Sequence, residues 1–345
     1  MRVTLRDVAE ASGVSVMAVS KVLHGTSRSV RVSEQTSEKI LRIAKQLEYR
    51  PNSVARSLRS RRTKMVALVF QHVYRVGEDN PYHSLLLNGV MSALFPQGYT
   101  LSLCPDLGKS DAPEMIDDGR FDGVLWVRPD HTEGASRRLT NLQLPLVVMH
   151  APPGDSRDLP TYCIDNPRAL QIIVQHLVEL GHKRITFVVD KINSHTTEGL
   201  DRGDCFLKAA EEAGVEGRIW AWDETIESFE ARLSEDFHET ALAAFSDALA
   251  GRILITCQQL NIKVPEELSV VGFDSSSFCE RTVPPLTSLH QQVEKMAFDA
   301  TTHLLEIIQG DLSEQQRRER LSNIYDCVLI VRASTCMPSL RKIQI

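Results

Sequence analysis

Residues 3–24 read VTLRDVAEASGVSVMAVSKVLH, residues 33–47 read SEQTSEKILRIAKQL, and residues 49–59 read YRPNSVARSLR. Thr4 and Asp7 have the spacing of a capping box, with Asp7 in place of the commoner Glu. Leu5, Val8 and Ala9 then follow at helical i, i+3, i+4 intervals. Ser12-Gly13-Val14 interrupts the pattern, and Gly13 supplies the permissive backbone that a tight turn needs. Ser15 can cap a second helix whose apolar stripe is Val19, Val22 and Leu23, leaving Met17, Ser20, Lys21 and His24 for the opposite face. After a polar loop over 25–32, Ser33 caps a third helix with Ile40, Ile43, Ala44 and Leu47 on one side. Two short helices joined by a glycine turn and closed by a third predict a helix-turn-helix unit, whose second helix would enter the DNA major groove.

The charge distribution agrees. The chain of 345 residues has a formal net charge of -6. Residues 1–64 hold 14 Lys and Arg against 5 Asp and Glu, and the remainder holds 25 against 40. A basic head on an acidic body implies that only the head meets a polyanion, the alternative being a solvated charge run. A hydrophobic content of 42% and a charged content of 24% are ordinary for a globular protein. No run of about 18 apolar residues predicts a membrane span, and the charged N-terminus lacks the apolar core of a signal peptide, so a cytoplasmic protein is expected. Seven scattered cysteines without a C-x-x-C pair predict free thiols, with neither a metal site nor a cofactor.

Taken with YRPNSVARSLR, the stretch TLRDVAEASGVSVMAVSKVLHG resembles the lactose/galactose repressor family, densely over residues 3–64 and loosely over nearly the whole chain. The resemblance implies that about Asn52 to Ser60 becomes a hinge helix only on operator DNA; alone, so short a piece is marginal as a helix. It makes Leu58 a wedge for the minor groove, places Val54 against its dimer mate and sets Ala55 close to the groove. Leu58 can also be read as a buried residue of a linker helix. The expected DNA-binding residues are Thr4, Ser15, Val16, Met17, Ser20, Lys21, Asn52, Ala55, Leu58 and Arg59. Of these, Val16, Met17 and Lys21 would face bases, while Arg50, Arg56, Arg59, Arg61 and Arg62 would meet phosphates.

From Met65 onward, short apolar runs alternate with helical patterns: 65–70, 99–104, 123–127, 145–150, 162–165, 184–189, 241–245 and 268–273 read as strands. This predicts an α/β body of parallel sheets, too long for one small sheet and therefore two-lobed. IDN (164–166), LVELGHKRI (177–185), PEELSVVGFD (265–274) and PPLTSLHQ (284–291) resemble the periplasmic-binding-protein fold used by the same family. That resemblance implies lobe crossings near 162–164, 290–293 and 327–329. The expected domains are a DNA reader at 1–50, a hinge and linker at 51–64, and an effector-binding and dimerisation body at 65–345.

The resemblance places an effector-binding arginine at Arg202 and a cleft aspartate at Asp247, residues able to bind the hydroxyls or polar edge of a sugar or base. Tyr82, His83, Arg128 and His150 lie near strand ends and join the candidates. Trp220 or Trp222 could form an aromatic platform, or be core. The chain departs from the family pattern at Ser246, where asparagine is usual, and at Cys205, where glycine is common. The loop 71–80 is unusually charged, the segment 105–120 is short, and 310–323 reads as a surface loop or helix extension.

The resulting expectation is a homodimeric repressor of palindromic operator DNA that responds to a small effector, a sugar or sugar derivative. A body that only dimerises is one alternative. A transport-type solute-binding protein is another, but it would need a signal peptide. No P-loop, strand-associated G-x-G-x-x-G or H-E-x-x-H motif points to an enzyme.

Overall fold

The structure, a computed structural model, describes residues 3–24, 31–51, 57, 62–70, 81–104, 116–128, 144–151, 159–234 and 238–338. The chain divides into two compact units, Met1–Thr63 and Lys64–Ile345.

Among its described residues, the first unit holds three helices, α1 (Leu5–Ser12), α2 (Val16–His24) and α3 (Glu34–Gln46). The Thr4 hydroxyl accepts from the Asp7 amide, while the Asp7 carboxylate accepts from the Thr4 amide at 2.7 Å, closing the capping box. Gly13 ends α1 in the left-handed region at φ 64, so the chain can turn at once into α2. Val8, Val19 and Ile40, one from each helix, are fully buried against each other with Ala9 and Ala44. Each such side chain contributes on the order of 1.5–3 kcal/mol through burial, enough to hold a small unit together.

The second unit is built on two six-stranded sheets. Sheet one has the order β11 (Ser322–Tyr325), β5 (Thr161–Ile164), β4 (Leu146–Met149), β3 (Gly123–Val127), β1 (Met65–Phe70), β2 (Thr100–Cys104). Sheet two has the order β12 (Cys327–Ile330), β10 (Thr287–Gln291), β9 (Ser269–Asp274), β8 (Ala241–Ala244), β6 (Arg184–Asp190), β7 (Glu216–Trp222). All neighbours run parallel except β10 and β12. The inner strands are apolar without alternation, as in LVVM and ALAA, because both faces of each sheet are buried and leave no side for polar residues.

The helices among the described residues of this unit are α4 (Pro81–Leu94), α5 (Asn166–Glu179), α6 (Thr197–Glu212), α7 (Ile226–Ser234), α8 (Asp247–Gln259), α9 (Val293–Gln309) and α10 (Glu314–Glu319). The segment 310–323 thus contains a short helix, started by a capping box between Ser313 and Gln316. α4 and α9 cover one face of sheet one and meet at Gly89, where a Cβ would lie 2.2 Å from the Glu294 carbonyl oxygen. The chain passes between the sheets at Asp165, Gln292 and Asp326, which makes two lobes joined by three chain crossings. Among the described residues, no helix is long and apolar enough to cross a membrane.

Candidate functional site

Parallel sheets place their strand carboxyl ends on one rim, and the chain leaves the sheet there in irregular backbone. Here the two rims face each other across the cleft between lobes. Arg128 follows β3 and His150 follows β4 from the first lobe; Phe245 and Ser246 follow β8, Asp274 ends β9 and Gln291 ends β10 in the second. Arg128 and His150 take left-handed backbone at φ 55 and 56, and Asp274 sits at φ 124. Non-glycine residues reach this region at a cost of about 1–3 kcal/mol each, and such strain concentrates at ligand sites.

A buried ion cluster occupies the centre. Glu198, in the first turn of α6, lies between two arginines. One is Arg202, one turn on in the same helix, whose Nη2 donates to Glu198 Oε1 at 2.5 Å. The other is Arg128 of the first lobe, whose Nε donates to Glu198 Oε2. Burial works against a charged Glu198, but Arg128 and then Arg202 outweigh it and hold the carboxyl down at about 2. Burial likewise opposes the Arg128 charge and Glu198 overcomes it, so the guanidinium pKa is raised.

Arg202 is further fixed by donation from Nη1 to the Phe245 carbonyl at 2.9 Å and by the Phe273 ring, 3.9 Å from its guanidinium carbon. Asn166 accepts from Arg202 Nε at 3.4 Å and donates to Asp201 at 2.6 Å.

Asp274 stands beside this cluster with the opposite behaviour. Burial, reinforced by the charge of Asp247, pushes its carboxyl up to about 8, although Arg202 and the amide donated by Gln291 favour the anion. Burial thus favours its protonated form, which can donate. His150 and His83 are both brought down to about 4, chiefly by burial, and are neutral.

Several polar atoms here are buried without a partner among the described residues: the Tyr82 hydroxyl, both His83 ring nitrogens, His150 Nε2 and Gln291 Oε1. Buried polar groups normally find partners, so a cluster of unsatisfied ones on a cleft wall is a mark of a ligand site. Tyr82, Arg128, Asn193, Glu198, Arg202 and Asp274 line a cavity of about 40 Å³ with Phe245, Ser246 and Gln291. That is room for a few water molecules but not for a sugar-sized one.

The expected cleft residues Arg202, Arg128, Tyr82 and His150 thus come together, with His83 stacked edge-on against Tyr82. Two others do not join them. Asp247 is fully buried behind the cleft: it accepts from the Ser276 amide at 3.0 Å, from the Ser276 hydroxyl at 3.2 Å and from Ser288 at 2.5 Å. Its carboxylate holds the turn after β9 and is not part of the cavity lining. Trp222 is also fully buried; its indole donates to the Thr225 carbonyl and its ring packs on Trp220 and Phe229 in the second-lobe core. The sequence reading missed Glu198, Asp274 and Gln291. The position of Asp274 at the end of β9, matching Arg128 after β3, was the available signal.

In the head, Val16 and Met17 open α2 with 38% and 59% of their surface exposed. Lys21, one turn on, is half-buried. Ser20 is only 5% exposed, because Ala18, Val19 and Ser20 form the buried side of the helix, so it does not stand on the open face where its helical spacing put it. Thr4 caps α1, and Ser15 caps α2 by accepting from the Ala18 amide at 3.2 Å, so both stand at helix N-termini. Asn52, Ala55, Leu58 and Arg59, with Val54, lie outside the described residues.

Comparison with known proteins follows the same division. Residues 4–52 match the family described as bacterial regulatory proteins, lacI family, and residues 174–335 match a periplasmic binding protein-like domain. The chain is 30% identical over 318 residues to the HTH-type transcriptional repressor PurR of Vibrio vulnificus, covering 88% of this chain and 92% of the relative. It is 29% identical over 325 residues to the repressor of the same name from Aliivibrio salmonicida, covering 91% and 94%. Among solved structures, the transcriptional regulator CelR in complex with cellobiose aligns with a TM-score of 0.67 at 27% identity, over 96% of this chain and all of that one. The lac repressor dimer bound to operator and the anti-inducer ONPF aligns at 0.82 over 97% and 100%, with 20% identity, a likeness of fold alone.

Proposed function

The chain belongs to the lacI family of bacterial regulatory proteins, and on that premise we propose that it is a cytoplasmic homodimeric repressor whose grip on a palindromic operator is set by a small polar molecule in the cleft. The ligand class is a sugar or sugar derivative. The relatives named as PurR repressors support the repressor role, and the cellobiose-bound CelR supports a small-molecule sensor.

The observation that carries the reading is the pairing of two features in one chain. One is a helix-turn-helix whose second helix begins with exposed Val16 and Met17. The other is a cleft with a fixed arginine, Arg202, and unsatisfied Tyr82, His150 and Gln291 atoms. Val16 and Met17 offer apolar contact to a thymine methyl, and Lys21 reaches guanine O6 or N7. Thr4 and Ser15 bring helix N-termini to phosphates. The hinge residues Asn52, Ala55, Leu58 and Arg59 complete the DNA surface, with Leu58 as the minor-groove wedge.

One three-helix head reads one half-site, so specific affinity requires two heads related by a two-fold axis. Ligand binding alters operator affinity only insofar as it favours one lobe arrangement over another. Selection from a random double-stranded DNA pool, followed by sedimentation of the complex, tests this. The expected result is an inverted repeat bound by two copies; enrichment of no sequence, or a stable one-copy complex, contradicts it.

A further inference from the structure

Glu198 is an internal anion in the place where a ligand would be expected. The cavity beside it encloses about 40 Å³, so nothing the size of a sugar enters until the lobes part. Parting does not treat the two arginines alike. Glu198 and Arg202 belong to one helix, four residues apart, and move together. Arg128 belongs to the opposite lobe and loses its only described ion-pair partner.

Among the described residues, the remaining first-lobe surroundings of Arg128 do not replace that partner. Tyr82 presents a ring 5.7 Å away and a hydroxyl whose deprotonation burial strongly opposes. His83 and His150 are neutral imidazoles. No described first-lobe residue of the cavity lining is a carboxylate. With a molecule seated between the lobes, the half-buried Arg128 guanidinium is again screened from water, and a screened charge without a counter-ion is costly, so the molecule is selected by what it offers Arg128. A hydroxyl offers one oxygen and no charge; an ionised acid offers two oxygens and the charge, matching the planar fork. The second-lobe wall suits the rest of such a molecule: Glu198 accepts from hydroxyls, and the protonated Asp274 and the Asn193 amide donate to them.

We propose that the effector is a small polyhydroxylated acid, with a carboxylate or phosphate group that takes Arg128 over from Glu198 as the lobes part. This rests on the sensor reading above and narrows its ligand class. The molecule's acidic group then sits against the first lobe and its hydroxyls against the second, which ties lobe arrangement to ligand charge.

The test uses the full chain. Wild type, Glu198→Ala and the isosteric Glu198→Gln are melted at neutral pH and constant ionic strength with rising acetate, inorganic phosphate or acetamide. Acetate or phosphate should raise the melting temperature of Glu198→Ala by several degrees more than that of wild type. Acetamide should not, and the gain should vanish in the double variant Glu198→Ala/Arg128→Leu; whichever anion acts more strongly identifies carboxylate or phosphate as the group. Should the alanine variant fail to fold, the glutamine variant carries the same comparison. Wild type is then titrated with D-glucose, D-glucuronate and D-glucose 6-phosphate. Absence of anion rescue, rescue that survives Arg128→Leu, or tighter binding of glucose than of both acids overturns the proposal. Operator binding in the same preparations keeps the two readings apart: a failed rescue with intact, ligand-responsive operator binding removes only the acidic class.

Discussion

Replacing Glu198 by Gln keeps the side chain's size and one carbonyl acceptor but removes the charge between the half-buried Arg128 and the buried Arg202. The carboxyl is held at about 2 in the folded chain against an ordinary 4.5. At 1.36 kcal/mol per pH unit, this depression corresponds to about 3 kcal/mol of stability, in line with the ~3–5 kcal/mol cost of breaking a buried pair. Because the folded-state value is depressed, this stability is fully present above about 4.5 and drains away as the pH falls toward about 2. The loss at neutral pH should appear as a fall in melting temperature of roughly 5–10 °C for a unit of this size. Urea titrations of wild type and Glu198→Gln at neutral pH and at several acidic values provide the measurement. The difference between the two proteins should be largest near neutrality and shrink below about 4.5. A difference that does not change with pH, or none at all, would refute the account of Glu198 as an ion held by Arg128 and Arg202.

Asp274 predicts the reverse trend: its carboxyl is raised to about 8, so wild type should lose stability as the pH climbs from about 4 to about 8, whereas Asp274→Asn should lose much less over that window. Parallel curves in urea would show that Asp274 is ionised throughout. Gly89→Leu should cost at least about 1–3 kcal/mol, since even a Cβ there meets the Glu294 carbonyl at 2.2 Å; chemical denaturation of the full chain checks it. Lys21→Ala should weaken binding to the selected operator by about 1–3 kcal/mol and relax one base position; an equal loss on random DNA would make Lys21 a phosphate contact instead.

The fold was legible because its signals are local. The head announced itself through caps and turn chemistry: Thr4 with Asp7, Gly13, and Ser33 accepting from Thr36 are all contacts within a few residues. The inner strands announced themselves as unbroken apolar runs. The strand Glu216–Trp222 escaped notice because it is an edge strand, polar along one side, and its tryptophans looked like a ligand platform. They serve instead to pack α7 through Phe229.

The site was harder to read because its contacts are distant in sequence. Glu198 meets Arg128 across 70 positions, and in the sequence it passes for ordinary negative charge in the first turn of a helix. Asp247 misled for a related reason. It directly follows the cap residue Ser246, where a carboxylate can turn outward or inward, and only the folded chain reveals Ser276 and Ser288 waiting inside. Ser20 shows the limit of helical-wheel reading, since packing from α1 and α3 leaves α2 a narrower open face than its periodicity implies.

Control of the head by the cleft can be measured directly in a single set of titrations. The selected operator is titrated with wild type, Arg202→Ala and Leu58→Ala, each with and without the molecule found to stabilise the wild-type body. The account predicts that the molecule shifts wild-type operator affinity at least tenfold. Arg202→Ala should bind the operator like wild type yet ignore the molecule, while Leu58→Ala should bind the operator weakly and the molecule normally. If Arg202→Ala responds to the same molecule at the same concentration as wild type, the control of DNA binding does not run through this cleft.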